Sequence, residues 1–135
     1  MMKVIIIGCS RLGAMLATSL AGAGHEISVI DPKAEALERL PHDFPGQVFQ
    51  GVGIDLELLA KAGADTADAL IAVTDRDSAN LVTAQVAREK FHIPRVIARA
   101  YDPRAAEAYR AMGLDIFCPT TFGIDYVMGR LGGAE

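Results

Sequence analysis

The sequence is poor in the residues that build metal centres and disulfide frameworks. It has two cysteines, Cys9 and Cys118, far apart and with no CxxC spacing, so neither a zinc site nor a disulfide framework is indicated and a reducing, intracellular compartment fits. Its three histidines, His25, His42 and His92, stand singly beside turns or helix ends with no HxxxH or HxxE pattern, which reads as loop histidines rather than metal ligands. No apolar run approaches the ~20 residues that span a bilayer. The early VIII run is short and leads into a glycine loop instead of a cleavage site, so it does not read as a signal peptide. The chain is therefore expected to be soluble, with no direct membrane insertion. There is also no long run of one charge. The net charge is -4, with Lys and Arg scattered, and the basic stripe that duplex nucleic acid calls for is missing, so nucleic acid is not an expected partner.

What is present is a regular alternation of short apolar runs and helical patterns. At 135 residues the chain matches one domain, large enough for a core without staples, and its 22% charged content is an ordinary globular balance. Residues 3–7, KVIII, predict a strand apolar on both faces, as in parallel sheets. Leu12, Met15, Leu16 and Leu20 follow at helical spacing, and Gly22 and Gly24 end that helix. Strand two covers 26–30. Asp31-Pro32 ends it and opens a helix, with the proline at its first position and Ala34, Leu37 and Leu40 on one face. PHDFPG is a turn, strand three covers 47–50, and Asp55 caps a helix carrying Leu56, Leu59 and Ala60. Strand four covers 69–73 and a helix covers 78–91. IPRVIARA supplies strand five, and Asp102-Pro103 starts a helix with Ala105, Ala108, Tyr109 and Met112 as one face. Strand six covers 115–118, the last helix covers 122–131, and the terminal GGAE is expected to fray.

Six strands with helical crossovers imply right-handed βαβ units and an α/β fold. The expectation is a doubly wound, six-stranded parallel sheet of Rossmann type, order 3-2-1-4-5-6, forming a single domain over 1–135. Ligands in such sheets sit beyond the carboxyl ends of the strands where the order reverses. Here that is between strands one and four, at the loops GCSRLG and TDRDS.

The stretch VIIIGCSRLG is close to a dinucleotide fingerprint, with Ser10 at the place of the middle glycine. Gly8 permits the tight turn out of the strand, and Gly13 lets the following helix pack closely. Ser10 is small and its hydroxyl can donate to a phosphate oxygen. The helix N-terminus adds N–H donors and the positive end of a dipole. Arg11 in the first turn is unfavourable for the helix itself, a balance that a bound phosphate reverses. Asp31, about 20 residues on at the end of strand two, is placed to bind both ribose hydroxyls. A carboxylate there repels a 2′-phosphate, so NADP is disfavoured, but NAD, ATP, ADP and AMP are not distinguished. GCSRL is not a hydrolase elbow, because residue 12 is Leu.

With these residues in place the chain resembles the TrkA-N or RCK N-terminal domain, the cytosolic nucleotide-binding module of potassium transporters and channels. The matching pieces are GCSRLG, VIDPK, GVGIDLELLAKAGADTADALIAVTDRDSAN, VIARAYDP and GLDIFCP, which together cover nearly the whole chain. The resemblance implies a non-catalytic sensor that is a homodimer or higher oligomer. It would lie in the cytoplasm, peripheral to the inner face of the membrane through a membrane-embedded potassium transporter or channel subunit. An adenine nucleotide (ATP, ADP or AMP) or NAD(H) would bind at the switch point. Carried over by position, Gly8, Ser10, Arg11, Leu12 and Gly13 hold phosphate. Asp31 holds the ribose, with Pro32 and Lys33 beside it; Gly53, Ile54 and Asp55 flank the adenine; Val73 and Thr74 lie beneath the nucleotide; Arg99 meets distal phosphates.

Three departures stand out. Ser10 replaces the usual glycine, and Val52 sits where the family often has an acid. Thr120 follows Pro119 where some members carry a glutamate that helps bind a cation at the dimer interface, so no metal site is expected. The C-terminal ligand-binding domain of longer members does not lie within this sequence.

Plainer roles compete for several residues. Asp55 serves equally as a helix cap, Asp75 and Asp77 as solvated turn residues, Asn80 as a helix start, Arg99 as a surface partner of Asp102, and Cys9 as a small spacer. Two other functions also compete. An NAD-dependent oxidoreductase needs a substrate pocket and a proton donor, for which no second domain is present and His25 lies at the wrong end of the sheet. An interaction module that has lost its ligand would account for Ser10 and Val52. The last helix, with Phe122, Tyr126 and Met128, either packs on another subunit or covers this sheet.

Overall fold

The computed structural model describes residues 1–132. Its centre is β1 (Lys3–Ile7), whose four buried apolar residues leave no polar face. β2 (Glu26–Asp31) and β4 (Ala69–Ala72) pair with it in parallel on either side, so Ile6 lies in register with both Val29 and Ile71. β3 (Gln47–Gln50) extends the sheet beyond β2, and β5 (Arg95–Arg99) and β6 (Asp115–Phe117) extend it beyond β4. The order β3-β2-β1-β4-β5-β6 is the expected one.

Alternation along β1 sorts the core into two layers. Val4 and Ile6, with Ile27 and Val29, pack on Ala14 and Ala17 of α1 (Arg11–Gly22) and on Ala36 of α2 (Ala34–Leu37). Ile5 and Ile7, with Leu70 and Ala72, face Leu59 of α3 (Leu56–Lys61), Ala84 and Ala87 of α4 (Asp77–Glu89) and Ala106 of α5 (Pro103–Ala111). Alanines at the helix contacts let the helices lie close to the sheet. Each fully buried Ile or Leu of these layers contributes about 1.5–3 kcal/mol.

Several elements differ from the sequence expectation. α2 begins at Ala34 with Lys33 as its cap, so Pro32 stands outside the helix. The Asp31 carboxylate accepts the Lys33 N–H at 2.8 Å, a side-chain turn that holds the chain out of helical geometry for two residues. The helix then tightens into i→i+3 bonds from Glu38 to Leu40 and stops before Pro41, burying Ala36 and Leu40 rather than Ala34. β4 and β6 each end one residue earlier, at Ala72 and Phe117, and α4 runs Asp77–Glu89. On α5 the buried residue is Ala106, with Ala105 and Tyr109 half-buried, while Ala108 and Met112 face out.

The last helix, α6 (Pro119–Leu131), starts three residues earlier than expected, with proline at its first position. It has no buried residue, so it does not cover its own sheet. Gly132 closes it in a left-handed conformation, φ 72°. The remainder of GGAE lies outside the described residues. No helix among the described residues is long and apolar enough to cross a membrane.

Candidate functional site

The loop after β1 is built by close backbone approach. Gly8 has φ +104°, and a Cβ there would stand 2.7 Å from the Thr74 nitrogen at the end of β4. A Cβ on Gly13 would run into the Gly8 carbonyl oxygen, so α1 leaves the loop at a distance only glycine allows. Ser10 is the N-cap of α1: its Oγ accepts the Gly13 N–H at 3.1 Å. The same hydroxyl donates to the Val73 carbonyl at 2.9 Å. Its proton is thus given to the carbonyl that follows β4. The Arg11 and Leu12 amides, in the first turn, have no intrahelical partner. Arg11 is exposed, with no acidic residue in that turn.

Asp31 stands at the end of β2 as expected and does structural work there. One carboxylate oxygen accepts the Cys9 N–H and the other the Lys33 N–H, both at 2.8 Å. A carboxylate has about four acceptor positions, so each oxygen retains one for a ribose hydroxyl. Pro32 and Lys33 are exposed beside it. Arg39, which the sequence did not single out, donates from Nη1 to the Cys9 carbonyl at 2.8 Å. The Cys9 peptide is therefore clamped from both sides. Burial pushes the Cys9 thiol above its ordinary pKa, the Asp31 charge adds to this, and Arg39 opposes it. A neutral, buried thiol fits the spacer role.

Gly53, in the loop after β3, is buried against Ile7, where a Cβ would meet the isoleucine side chain. Val52 and Ile54 on either side are 56% and 46% exposed, an apolar rim above the carboxyl ends of the strands. Asp55 caps α3, accepting the Glu57 N–H at 3.0 Å and the Leu58 N–H at 3.3 Å.

The most unusual group is Arg99, at the end of β5. It is 4% exposed, yet among the described residues it pairs with no carboxylate. Asp102, its imagined partner, caps α5 by accepting the Arg104 N–H. Arg99 Nη2 donates to the Val73 carbonyl at 2.7 Å and the Thr74 carbonyl at 3.1 Å, while Nε is buried with no partner. The guanidinium carbon lies 4.5 Å from the centre of the Tyr101 ring. A buried cation without a counter-ion is costly, and this one shares the Val73 carbonyl with Ser10 of the glycine loop.

Asn80, read from sequence only as a helix start, organises this corner. Wholly buried, it accepts the Thr74 N–H and hydroxyl at 2.9 and 2.7 Å. It donates to the Thr74 carbonyl at 3.1 Å and the Arg99 carbonyl at 2.9 Å. Its signal was available: with Thr83, Ala84 and Ala87 it forms an i, i+3, i+4, i+7 row, and a polar amide on a core-facing row needs partners. Asp77 is likewise engaged, accepting the Tyr101 and Asp102 amides at 2.9 and 3.1 Å.

The loops after β1, β2, β3 and β4 and the end of β5 thus converge at the carboxyl edge. They combine the first-turn amides of α1, the exposed Arg11, the buried Arg99 and the Asp31 carboxylate, with Asp55 and Asp75 in the neighbouring loops and an apolar rim at Val52 and Ile54. Such an edge offers N–H donors to an anion and carboxylate acceptor positions to hydroxyls. Two cavities, of about 490 and 600 Å³, open at the amino ends of the strands and border none of these loops. Among the described residues no three His, Cys, Asp or Glu side chains gather as a metal site.

Comparison with known proteins bears on the family and the fold. The model of the TrkA-N domain family matches residues 4–119. The Trk system potassium uptake protein TrkA of Streptomyces coelicolor is 39% identical over 136 residues, covering 99% of this chain and 61% of that protein. The TrkA homolog of Methanothermobacter thermautotrophicus is 33% identical over 84% of this chain and 52% of its own length. The chain spans about three-fifths or less of these relatives. The AMP-bound C-terminal domain of Kef from Shewanella denitrificans superposes with a TM-score of 0.80 at 26% identity, covering 96% of this chain and 80% of that one. The TrkA-N domain of the Escherichia coli inner membrane protein ybaL shares the fold, with a TM-score of 0.81 at 19% identity over 96% of this chain and 95% of that one. Fold, glycine loop and family match coincide: the chain belongs to the TrkA-N domain family.

Proposed function

We propose that this domain is a non-catalytic, regulatory nucleotide-binding module of a potassium transport system. Its ligand is an adenine nucleotide (ATP, ADP or AMP) or NAD(H), bound across the carboxyl edge between β1 and β4. The observation that carries the reading is Arg99, a buried guanidinium with no carboxylate partner among the described residues, bonded to the same carbonyl as the glycine loop's serine. The Kef domain, superposable over most of the chain, is an AMP-bound form, and the matched relatives are potassium uptake proteins.

In this reading the Arg11 and Leu12 amides and the Arg11 side chain hold the first phosphate. Gly8 and Gly13 keep the loop close, and Ser10 shapes it without contacting phosphate through its hydroxyl. Asp31 takes the ribose through its remaining acceptor positions, with Pro32 and Lys33 at the rim, and its charge disfavours NADP. Gly53, Ile54 and Asp55 flank the adenine, Val73 and Thr74 form the floor, and Arg99 meets the distal phosphate. The domain acts in the cytoplasm, at the inner face of the membrane through a membrane-embedded partner.

We further propose a homodimer through α6. The helix is exposed and apolar around its circumference, and Asp125 and Arg130 are its only charges, so a second copy covers it with little charge desolvation. Calorimetric titration with ATP, ADP, AMP, NAD and NADH tests the ligand. Binding by at least one supports the reading, and none at millimolar concentration overturns it.

A further inference from the structure

The candidate nucleotide site and the exposed helix α6 meet at Tyr101. Its ring lies 4.5 Å from the guanidinium carbon of Arg99. Its main chain is tied on both sides: the N–H donates to Asp77 in the first turn of α4 at 2.9 Å, and the carbonyl accepts Thr120 Oγ1 at 2.7 Å and Cys118 Sγ at 3.5 Å. Cys118 is the cap of α6 and Thr120 lies in its first turn. Since no residue of α6 is buried, its root is what sets its direction. The helix has 13 residues. At 1.5 Å per residue it is about 20 Å long, so a turn of about 10° at the root carries the tip roughly 3 Å.

The residue that holds the root has its ring over a group whose own bonding is incomplete. Among the described residues Arg99 has no carboxylate partner, its Nε is unpaired, and its contacts are to two carbonyls and a ring. An anion placed beside it adds the missing charge-assisted partner and re-aims the guanidinium plane, and the ring stacked on that plane moves or stiffens with it. We propose that Tyr101 is a positioning residue that transmits phosphate occupancy at Arg99 to the root of α6, so that the bound ligand sets how α6 leaves the domain. The inference rests on the nucleotide reading above and adds its output: the two elements linked are the ligand's distal phosphate and the helix proposed to join a second copy. No hydrogen bond joins Arg99 and Thr120; Tyr101 is their common neighbour, through its ring on one side and its carbonyl on the other.

The test is hydrogen–deuterium exchange of the full chain with and without saturating ADP, with ADP affinity measured in parallel by calorimetry. The proteins are the wild type, Tyr101→Phe, Tyr101→Leu and Thr120→Val. Phe keeps the stacked ring, Leu removes it, and Val cuts the bond from the α6 side while leaving the ring in place. The expected result is that ADP slows exchange in residues 119–124 by at least about threefold in the wild type and the Phe variant. The Leu and Val variants lose that response while their ADP affinity stays within about threefold of wild type. Bound ADP with no change at α6 in the wild type, or a full response in either the Leu or the Val variant, overturns the inference and leaves the nucleotide reading standing. Absence of binding by every nucleotide tested overturns both.

Discussion

Replacing Arg99 by methionine separates a structural role from a ligand-binding one. The side chain makes two hydrogen bonds, to the Val73 and Thr74 carbonyls, and one ring contact. Neither carbonyl is orphaned by its removal, because Val73 keeps the Ser10 hydroxyl and Thr74 keeps the Asn80 amide. The losses are two bonds from a charged donor, about 1.5–3 kcal/mol each, and a cation–ring contact of about 0.5–2 kcal/mol. Against them stands the penalty of a buried ion with no counter-ion, several kcal/mol. Methionine refills most of the volume with an adaptable apolar chain. The net effect on the nucleotide-free protein is therefore small, within about 1 kcal/mol of wild type by urea denaturation, where breaking a true buried ion pair costs about 3–5 kcal/mol. Nucleotide affinity should fall by about 1.5–3 kcal/mol, roughly 10- to 150-fold, as one charged contact to phosphate is lost. A ligand-free loss of more than about 3 kcal/mol would show Arg99 to be a structural keystone. Unchanged affinity in a stable variant would remove it from the site.

Four further outcomes follow from the same contacts. Ser10→Gly loses one bond to Val73 and exchanges a good cap for an acceptable one, about 1 kcal/mol in urea denaturation; because it frees the Gly13 amide, nucleotide affinity by calorimetry is undiminished, and a tenfold loss would return the hydroxyl to a phosphate-binding role. Gly13→Ala drives a methyl into the Gly8 carbonyl and costs about 3 kcal/mol or more in the same assay; wild-type stability would contradict the close packing of α1 on the loop. Cys9, its thiol held neutral by burial and by Asp31, reacts with a disulfide reagent only as fast as the protein opens; its raised folded pKa is neutral to stability below the unfolded thiol's value of about 8.5 and removes stability as pH rises from there through the folded value, a slope that Cys9→Ala flattens in denaturation at graded pH. Val127→Glu on α6 converts a dimer to a monomer in light scattering, and a wild-type monomer at high concentration would refute the proposed interface.

The sheet was readable because its strands are apolar on both faces and its breaks are chemically marked. Glycines end β1 and α1, Asp102-Pro103 opens α5, and Asp55 caps α3. The elements misplaced are those whose ends the apolar spacing does not mark. α2 starts late because Asp31 holds the Lys33 amide, and α6 starts early although its apolar pattern begins only at Phe122. The glycine loop and Asp31 were legible as a local motif. Ser10's bond to a carbonyl 63 residues away was not, nor was Arg39's to Cys9, 30 residues away. Arg99 was placed by its position on β5, but its lack of a counter-ion is visible only in three dimensions, since Asp102 three residues on offered an obvious partner that instead caps α5.

The most direct measurement of the central claim is a crystal structure of the chain grown with excess ADP. The account predicts phosphate oxygens within hydrogen-bonding distance of the Arg11 and Leu12 amides and of the Arg99 guanidinium, with ribose hydroxyls on Asp31. A crevice holding only solvent, or the nucleotide seated in one of the cavities at the amino ends of the strands, would contradict it.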